Sequence, residues 1–183
     1  MDEEDGNEAK FLIRTPRLVL RAPRLDDARA IFEEYATDPE VTRYMMWRPH
    51  TRAEETRAFV EGLVHGHGGG GELTWVITAN GEDRALGTIH CVPQGHMVEL
   101  GYVLARRCWG QGFMTEAARA VTGWAVGLPT IRRVWATCDV ENLASAKVLE
   151  NIGMTREGVL RRWAVRPNVS SEPRDTLVFA MVR

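Results

Sequence analysis

Residues 97–117 read Met-Val-Glu-Leu-Gly-Tyr-Val-Leu-Ala-Arg-Arg-Cys-Trp-Gly-Gln-Gly-Phe-Met-Thr-Glu-Ala. The strand-like run from Met97 to Leu104 enters a turn with glycines at 110 and 112, and a helical pattern begins straight after the second. Strand, glycine-rich turn and helix start make the geometry of an anion-binding site. Glycine lets the backbone come close to a phosphate, and the first helical N–H groups point at it. The stretch therefore implies a ligand that carries phosphates.

The spacing narrows the ligand. A dinucleotide fingerprint needs a third glycine where this chain has Thr115, and a Walker A loop needs a lysine that is absent. What is present is Arg107-x-x-Gly110-x-Gly112. An ordinary tight turn would carry the same glycines, so the surrounding chain has to decide.

Working outward, Leu18 to Arg21 reads as a strand ended by Pro23. Asp26 is expected to cap a helix with Ala28, Ile31, Phe32 and Tyr35 on one face. Asp38-Pro39 opens a short helical turn, and Thr51-x-x-Glu54 reads as a capping box before Phe59, Val60, Leu63 and Val64. Strands are expected at 73–79, 85–92 and 97–104, joined by short connections as an antiparallel meander. A helix from about Thr115, a strand over 133–140 and a helix capped by Asn142 follow, with Gly153 as the left-handed residue after its end. Strands at 159–165 and 176–182 close the chain. The strand at 133–140 must lie parallel to 97–104, because a helix connects them.

This order, β α α β β β α β α β β, resembles the fold of the GNAT acetyltransferases. Arg107-x-x-Gly110-x-Gly112 is similar to their pyrophosphate-binding motif, Q/R-x-x-G-x-G/A. Three segments resemble the RimJ/RimL (ribosomal-protein-alanine N-acetyltransferase) branch: Thr15 to Ala28, Trp109 to Ala117, and Asp139 to Met154. The resemblance implies an α/β (α+β) fold with a mixed, mostly antiparallel sheet, flanking helices and a splayed parallel strand pair. It also implies acetyl-CoA as cosubstrate and a primary amine as acceptor.

Composition fits one globular domain over 11–183, preceded by an acidic tail at 1–10 expected to be disordered, since it holds Asp2, Glu3, Glu4, Asp5 and Glu8 and no large apolar residue between Met1 and Phe11. A net charge of −2 gives no general drive toward nucleic acid or anionic lipid. No run approaches the ~20 apolar residues of a membrane span, and no signal peptide is visible. Cysteines at 91, 108 and 138 are odd in number and widely spaced, which reads as reduced thiols in a cytoplasmic protein. His65, His67, His90 and His96 with Cys91 match no common zinc spacing, so no metal is expected.

On the resemblance, the diphosphate would rest on backbone N–H groups from Cys108 to Met114 (Cys108, Trp109, Gly110, Gln111, Gly112, Phe113, Met114), with a hydroxyl from Thr115 and charge from Arg106 and Arg107; a plain solvated surface residue is the alternative for either arginine. Tyr102, Val103 and Leu104 would offer the strand edge to the pantetheine arm, and an N–H near Val103 would face the thioester oxygen. Glu99 is the first candidate base, acting through water; a solvent-facing strand glutamate is the alternative. Family members often use a tyrosine in the last helix as acid. Val148 and Leu149 stand there instead, so Ser145, three residues after Asn142, becomes the candidate; an ordinary first-turn serine is the alternative. Asn142 would contact the pantetheine or acyl region. Trp47 and His50, in the loop between the first helices, are candidate substrate-lining residues, as are Trp163, Arg166 and Asn168 in the closing hairpin; local packing is the alternative for each.

The acceptor pointed to first is a protein N-terminal α-amine, with a small amine such as an antibiotic or polyamine as the other enzymatic reading. A non-catalytic acyl-CoA-binding module would keep the glycine turn and need neither Glu99 nor Ser145. Dimerisation stays open, since an exposed strand edge or tryptophan could serve it.

Overall fold

The computed structural model describes residues 11–66 and 71–183. The tail at 1–10, His67 and glycines 68–70 lie outside the described residues. The strands are β1 (Ile13–Arg14), β2 (Leu18–Arg21), β3 (Leu73–Ala79), β4 (Gly87–Gln94), β5 (Met97–Leu104), β6 (Arg133–Asp139), β7 (Thr155–Val165) and β8 (Pro173–Val182). The helices are α1 (Asp27–Ile31, continued by a π-helical turn over Phe32–Ala36), α2 (Pro39–Thr42), α3 (Ala53–Gly66), α4 (Phe113–Gly127) and α5 (Leu143–Asn151).

One eight-stranded sheet runs in the order β1-β2-β3-β4-β5-β6-β8-β7. Among the described residues, only β5 and β6 pair in parallel. Helices cover both faces. Fully buried Trp75 of β3 meets Trp124 of α4 edge-on, ring centroids 5.1 Å apart. Tyr35, buried after α1, brings its hydroxyl beside Thr88 on the opposite face. Apolar residues of the central strands interdigitate with both helical layers, and that burial is the main stabilising term.

Several local expectations shift for identifiable reasons. The strand expected at 85–92 runs from Gly87 to Gln94 and includes Pro93. Proline is tolerated there because β3 stops pairing at Leu73↔Cys91, so the missing N–H faces an open edge. Asp26 makes no side-chain cap. Its neighbour Asp27 is drawn inward instead, taking the Arg24 N–H (2.8 Å) and forking onto buried Arg21 (2.7 and 2.9 Å). A buried guanidinium demands a counter-charge, and that demand outranks the cap. At α3 the Thr51 N–H goes to Glu55 (2.9 Å), one residue beyond the expected Glu54. Gly153 does hold φ +92° after α5, and Met154 N–H closes onto the Leu149 carbonyl (3.1 Å).

Candidate active site

The glycine turn sits between β5 and α4. Gly110 and Gly112 hold φ of +72° and +76°, a region L side chains enter at a cost. Gly112 is the N-cap of α4 and carries no side chain to satisfy the helix N–H groups. Inside the turn the Cys108 and Trp109 N–H groups are consumed by the carbonyls of Ala105 (2.9 Å) and Arg106 (3.1 Å). From Gly110 to Thr115 the N–H groups meet no acceptor among the described residues, and the first bond into the helix is Glu116 to Gly112 (3.0 Å). The donor cradle is thus shifted toward the helix from the expected 108–114: Cys108 and Trp109 are not backbone donors, and Thr115 joins.

Arg107 is not a free charge beside this cradle. Its Nε lies 2.5 Å from Glu34, which Arg84 shares. The Arg107 hydrogen bond is the main reason the Glu34 carboxyl sits below the usual range. The side chain that does brace the turn is Arg17. Its Nη1 donates to the Gln111 carbonyl (2.8 Å), its Nε to Glu116 (2.6 Å), and its guanidinium lies 4.7 Å above the Phe113 ring. Glu116 also accepts from the Thr15 hydroxyl (2.6 Å) and the Arg17 N–H (2.9 Å). The β1–β2 loop is thereby pinned to the first turn of α4. Arg17→Ala should loosen the turn and weaken CoA binding by about five- to tenfold, the scale of ~1 kcal/mol for such a network. Calorimetric titration with CoA checks this, and an unchanged affinity would remove Arg17 from the site.

Upstream of the turn, β5 pairs with β6 only at Met97↔Arg133, Val98↔Val134 and Glu99↔Trp135. Beyond Glu99 the strands part. The edge this exposes differs by one residue from expectation. Ala105 donates to the Leu86 carbonyl (2.8 Å), on the β4 side. Successive residues of a strand turn their peptide groups to opposite sides. Ala105, Val103 and Gly101 therefore address β4, and Tyr102 and Leu104 address the gap. The Leu104 carbonyl agrees, since it accepts from the Trp109 indole across the turn (2.8 Å). Val103 is corrected: its N–H points away from the gap.

Glu99 occupies the apex of the gap, half-buried. Burial raises its carboxyl pKa above the usual range, with Gln94 Nε2 at 3.4 Å opposing weakly. The same face holds Gly101, where a Cβ would overlap the His90 ring, so glycine is required for that close approach. Burial lowers the His90 pKa, which keeps its imidazole neutral.

On the other face, the Tyr102 hydroxyl meets Ser145 Oγ at 2.9 Å and the Ser145 carbonyl at 3.2 Å. Burial raises the Tyr102 pKa and pushes the adjoining Cys138 thiol up to about 11. Asn142 caps α5 by accepting the Ser145 N–H (3.1 Å). The helix lacks a tyrosine, yet a tyrosine hydroxyl reaches it from β5. In the sequence only the backbone of Tyr102 has an expected role, and no local signal ties a strand residue to a helix serine so far along the chain.

Trp47 and His50 stack together (5.1 Å) against Phe59, and His50 Nδ1 meets the Thr56 hydroxyl at 2.7 Å. Burial lowers the His50 pKa, which favours the neutral ring. Asn168, in the β7–β8 loop, donates to the carbonyls of Thr42 and Trp47 (both 2.7 Å), joining that loop to the α2–α3 loop. Trp163 stands apart, 58% exposed on edge strand β7, beside a bulge where Arg162 holds φ +49°. Among the described residues no group of three His, Cys, Asp or Glu side chains could hold a metal, and no helix is long and apolar enough to cross a membrane.

Comparison with known proteins agrees with this geometry. The model of the acetyltransferase (GNAT) domain matches residues 17–155. An uncharacterized N-acetyltransferase of Bacillus licheniformis, p20, is 31% identical over 150 residues, spanning 80% of this chain and 84% of p20. A GNAT-family acetyltransferase from Bacillus anthracis superposes with a TM-score of 0.81 at 28% identity, covering 93% of this chain and 98% of that one. A Salmonella typhimurium acetyltransferase, described as modifying the N-terminal serine of ribosomal protein L7/L12, shares the fold at 22% identity (TM-score 0.81, 94% and 99% covered). The family match runs from the β1–β2 loop to the start of β7 and takes in both the glycine turn and the β5–β6 gap, so the protein belongs to the GNAT acetyltransferases, enzymes that transfer an acetyl group from acetyl-CoA to an amine.

Proposed function

We propose that this enzyme acetylates a protein N-terminal α-amine, with CoA held by its diphosphate in the glycine turn and the amine delivered toward Glu99. The observation that carries the reading is continuity along one strand. Glu99 sits at the apex, the Tyr102 peptide edge and the Leu104 N–H follow, and unbonded N–H groups at Gly110–Thr115 end the line. The turn donates to diphosphate oxygens, assisted by the positive end of the α4 dipole and the Thr115 hydroxyl. The Tyr102 and Leu104 edge pairs with the amides of the pantetheine arm as an added strand would, and an N–H on it holds the thioester oxygen as charge develops. Bound acetyl-CoA supplies the activated acyl carbon.

The remaining work is proton management. A lysine-like amine with pKa near ~10.4 costs about 4–5 kcal/mol to neutralise at pH 7, and an α-amine near ~8 costs only about 1. A half-buried carboxylate working through water suffices for the second. The described target of the Salmonella relative, a protein N-terminus, supports the same choice. Trp47, His50 and Trp163 remain the proposed acceptor-side residues, Asn142 the proposed neighbour of the acyl arm, and the cytoplasm, where acetyl-CoA is made and thiols stay reduced, the proposed setting.

Ser145 and Tyr102 form one hydroxyl pair at the thiol end. A CoA thiolate is already a fair leaving group, with pKa near ~8.5 by analogy to cysteine. Ser145→Ala and Tyr102→Phe should therefore each lower kcat by less than about tenfold, and the double variant should be no worse than the poorer single, as expected of groups acting as one unit. A loss of a thousandfold in either single would make it an essential acid instead.

The acceptor assignment is tested by acetyl-CoA turnover against N-terminal peptides, free lysine, polyamines and aminoglycosides. Acetylation of the peptides supports the proposal, and turnover confined to small amines replaces it.

A further inference from the structure

Arg166 follows directly after β7 and is only 7% exposed. Its Nε is sealed from solvent and has no hydrogen-bond partner. No hydrogen bond or ion pair to any described residue engages the rest of its guanidinium, although every other buried charge has a partner: Arg21 has Asp27, and Asp139 has Arg174. Val165, just before it, pairs with Pro173 at the start of β8, and Thr176 of β8 pairs with Asp139, which places Arg166 near the C-terminal end of β6, beyond the point where the gap opens; Asp139 and the Cys138 thiol act on it electrostatically there. Asp139 makes no ion pair with it. Both carboxylate oxygens are already taken by Arg174 (2.7 and 3.0 Å) and the Glu141 N–H (3.0 Å).

The surroundings join the thiol end to the proposed acceptor side. Cys138 adjoins Ser145, and Asn168, two residues after Arg166, ties its loop to the Trp47 carbonyl. Burying an unpaired guanidinium is costly, and burial accordingly lowers its pKa. The cost is offset when a ligand brings the missing anion. An arginine fork, planar and fixed in charge, matches a carboxylate in side-on bidentate geometry.

We propose that Arg166 is a specificity-determining residue that binds a carboxylate carried by the acceptor within a few bonds of the reacting amine. The inference rests on the acetyl-transfer reading of the β5–β6 gap and adds a substrate class to it. On a protein N-terminus the carboxylate would be an Asp or Glu side chain at the first positions; on a free amino acid it would be the α-carboxylate.

The test compares wild type with Arg166→Gln and Arg166→Lys on peptides differing only in N-terminal Asp or Glu against Asn or Gln, and on free amino acids against their decarboxylated amines. Wild type should favour the carboxylate-bearing member of each productive pair by at least about 30-fold in kcat/KM, the scale of losing one partner of a desolvated charge pair. Arg166→Gln should erase that preference, Arg166→Lys should restore part of it, and CoA affinity should not change. The Tm of Arg166→Gln should be equal or higher, because an unpaired buried charge is removed. A lower Tm with equal losses on acidic and neutral acceptors would make Arg166 a structural residue and overturn the proposal, as would a wild type without acidic preference. If amino acids show the Arg166-dependent preference while no peptide turns over, the N-terminal reading falls and the carboxylate subsite stands.

Discussion

Gly112→Glu is expected to abolish measurable CoA binding, weakening it by at least about a hundredfold. Three effects add. The residue holds φ +76°, so any side chain there strains the backbone by about 1–2 kcal/mol. The new carboxylate sits at the N-cap of α4, where it can take the free N–H groups for itself. It also sets a negative charge where a dianionic diphosphate must rest, in a site whose attraction comes from those N–H groups and the helix dipole. A Cβ at this position meets nothing closer than Arg17 Nη2 at 3.5 Å, so Gly112→Ala should suffer only the backbone strain and keep affinity within about tenfold. Titration of both variants with CoA separates charge from conformation. Equal affinity for Gly112→Glu and wild type would mean that the diphosphate binds elsewhere.

Glu99→Gln is expected to lower kcat by about 10²–10⁴-fold while leaving the CoA dissociation constant unchanged. The carboxylate is half-buried at the point where β5 and β6 part, so the amide variant keeps shape and loses only the proton acceptor. The pH dependence follows from the sign of the shift. A base works in its deprotonated form, and burial raises the pKa of this carboxyl. The wild-type rate should therefore fall, as pH decreases, through an apparent pKa above the ordinary ~4.3 of glutamate. The variant should lack that acid limb and rise only as the acceptor amine loses its own proton. A variant that retains both full kcat and the limb would exclude Glu99 as the base.

How much of this was legible in the sequence depends on how local each signal is. Gly110 and Gly112 carry their conformational requirement in their own identity, so the phosphate turn could be read from a dozen residues. The Gly153 terminus and the Asn142 cap are equally local. Strand parity is less so. Whether Val103 or its neighbours face the gap depends on how β4 pairs, and a one-residue step turns every peptide group around. The longest-range features were not legible. Arg17 and Glu116 meet across 99 residues of chain, and Tyr102 meets Ser145 across 43. Nothing in either segment alone requires its partner. Asp27 displaced Asp26 because a buried arginine on β2 claimed it, a tertiary demand overriding a local preference. Arg166 is the same lesson reversed: in the sequence it stands beside Trp163 and Asn168 as one more acceptor-side candidate of the closing hairpin, and only its burial without a partner singles it out.

The most direct measurement of the central claim is the backbone amide spectrum of the ¹⁵N-labelled protein as CoA is added. The expected result is that the largest shifts fall on the N–H groups of Gly110, Gln111, Gly112, Phe113, Met114 and Thr115, with a second set at Tyr102 and Leu104 and little change at Val103 or Cys108. Shifts concentrated elsewhere on the sheet, with the glycine turn unmoved, would contradict it.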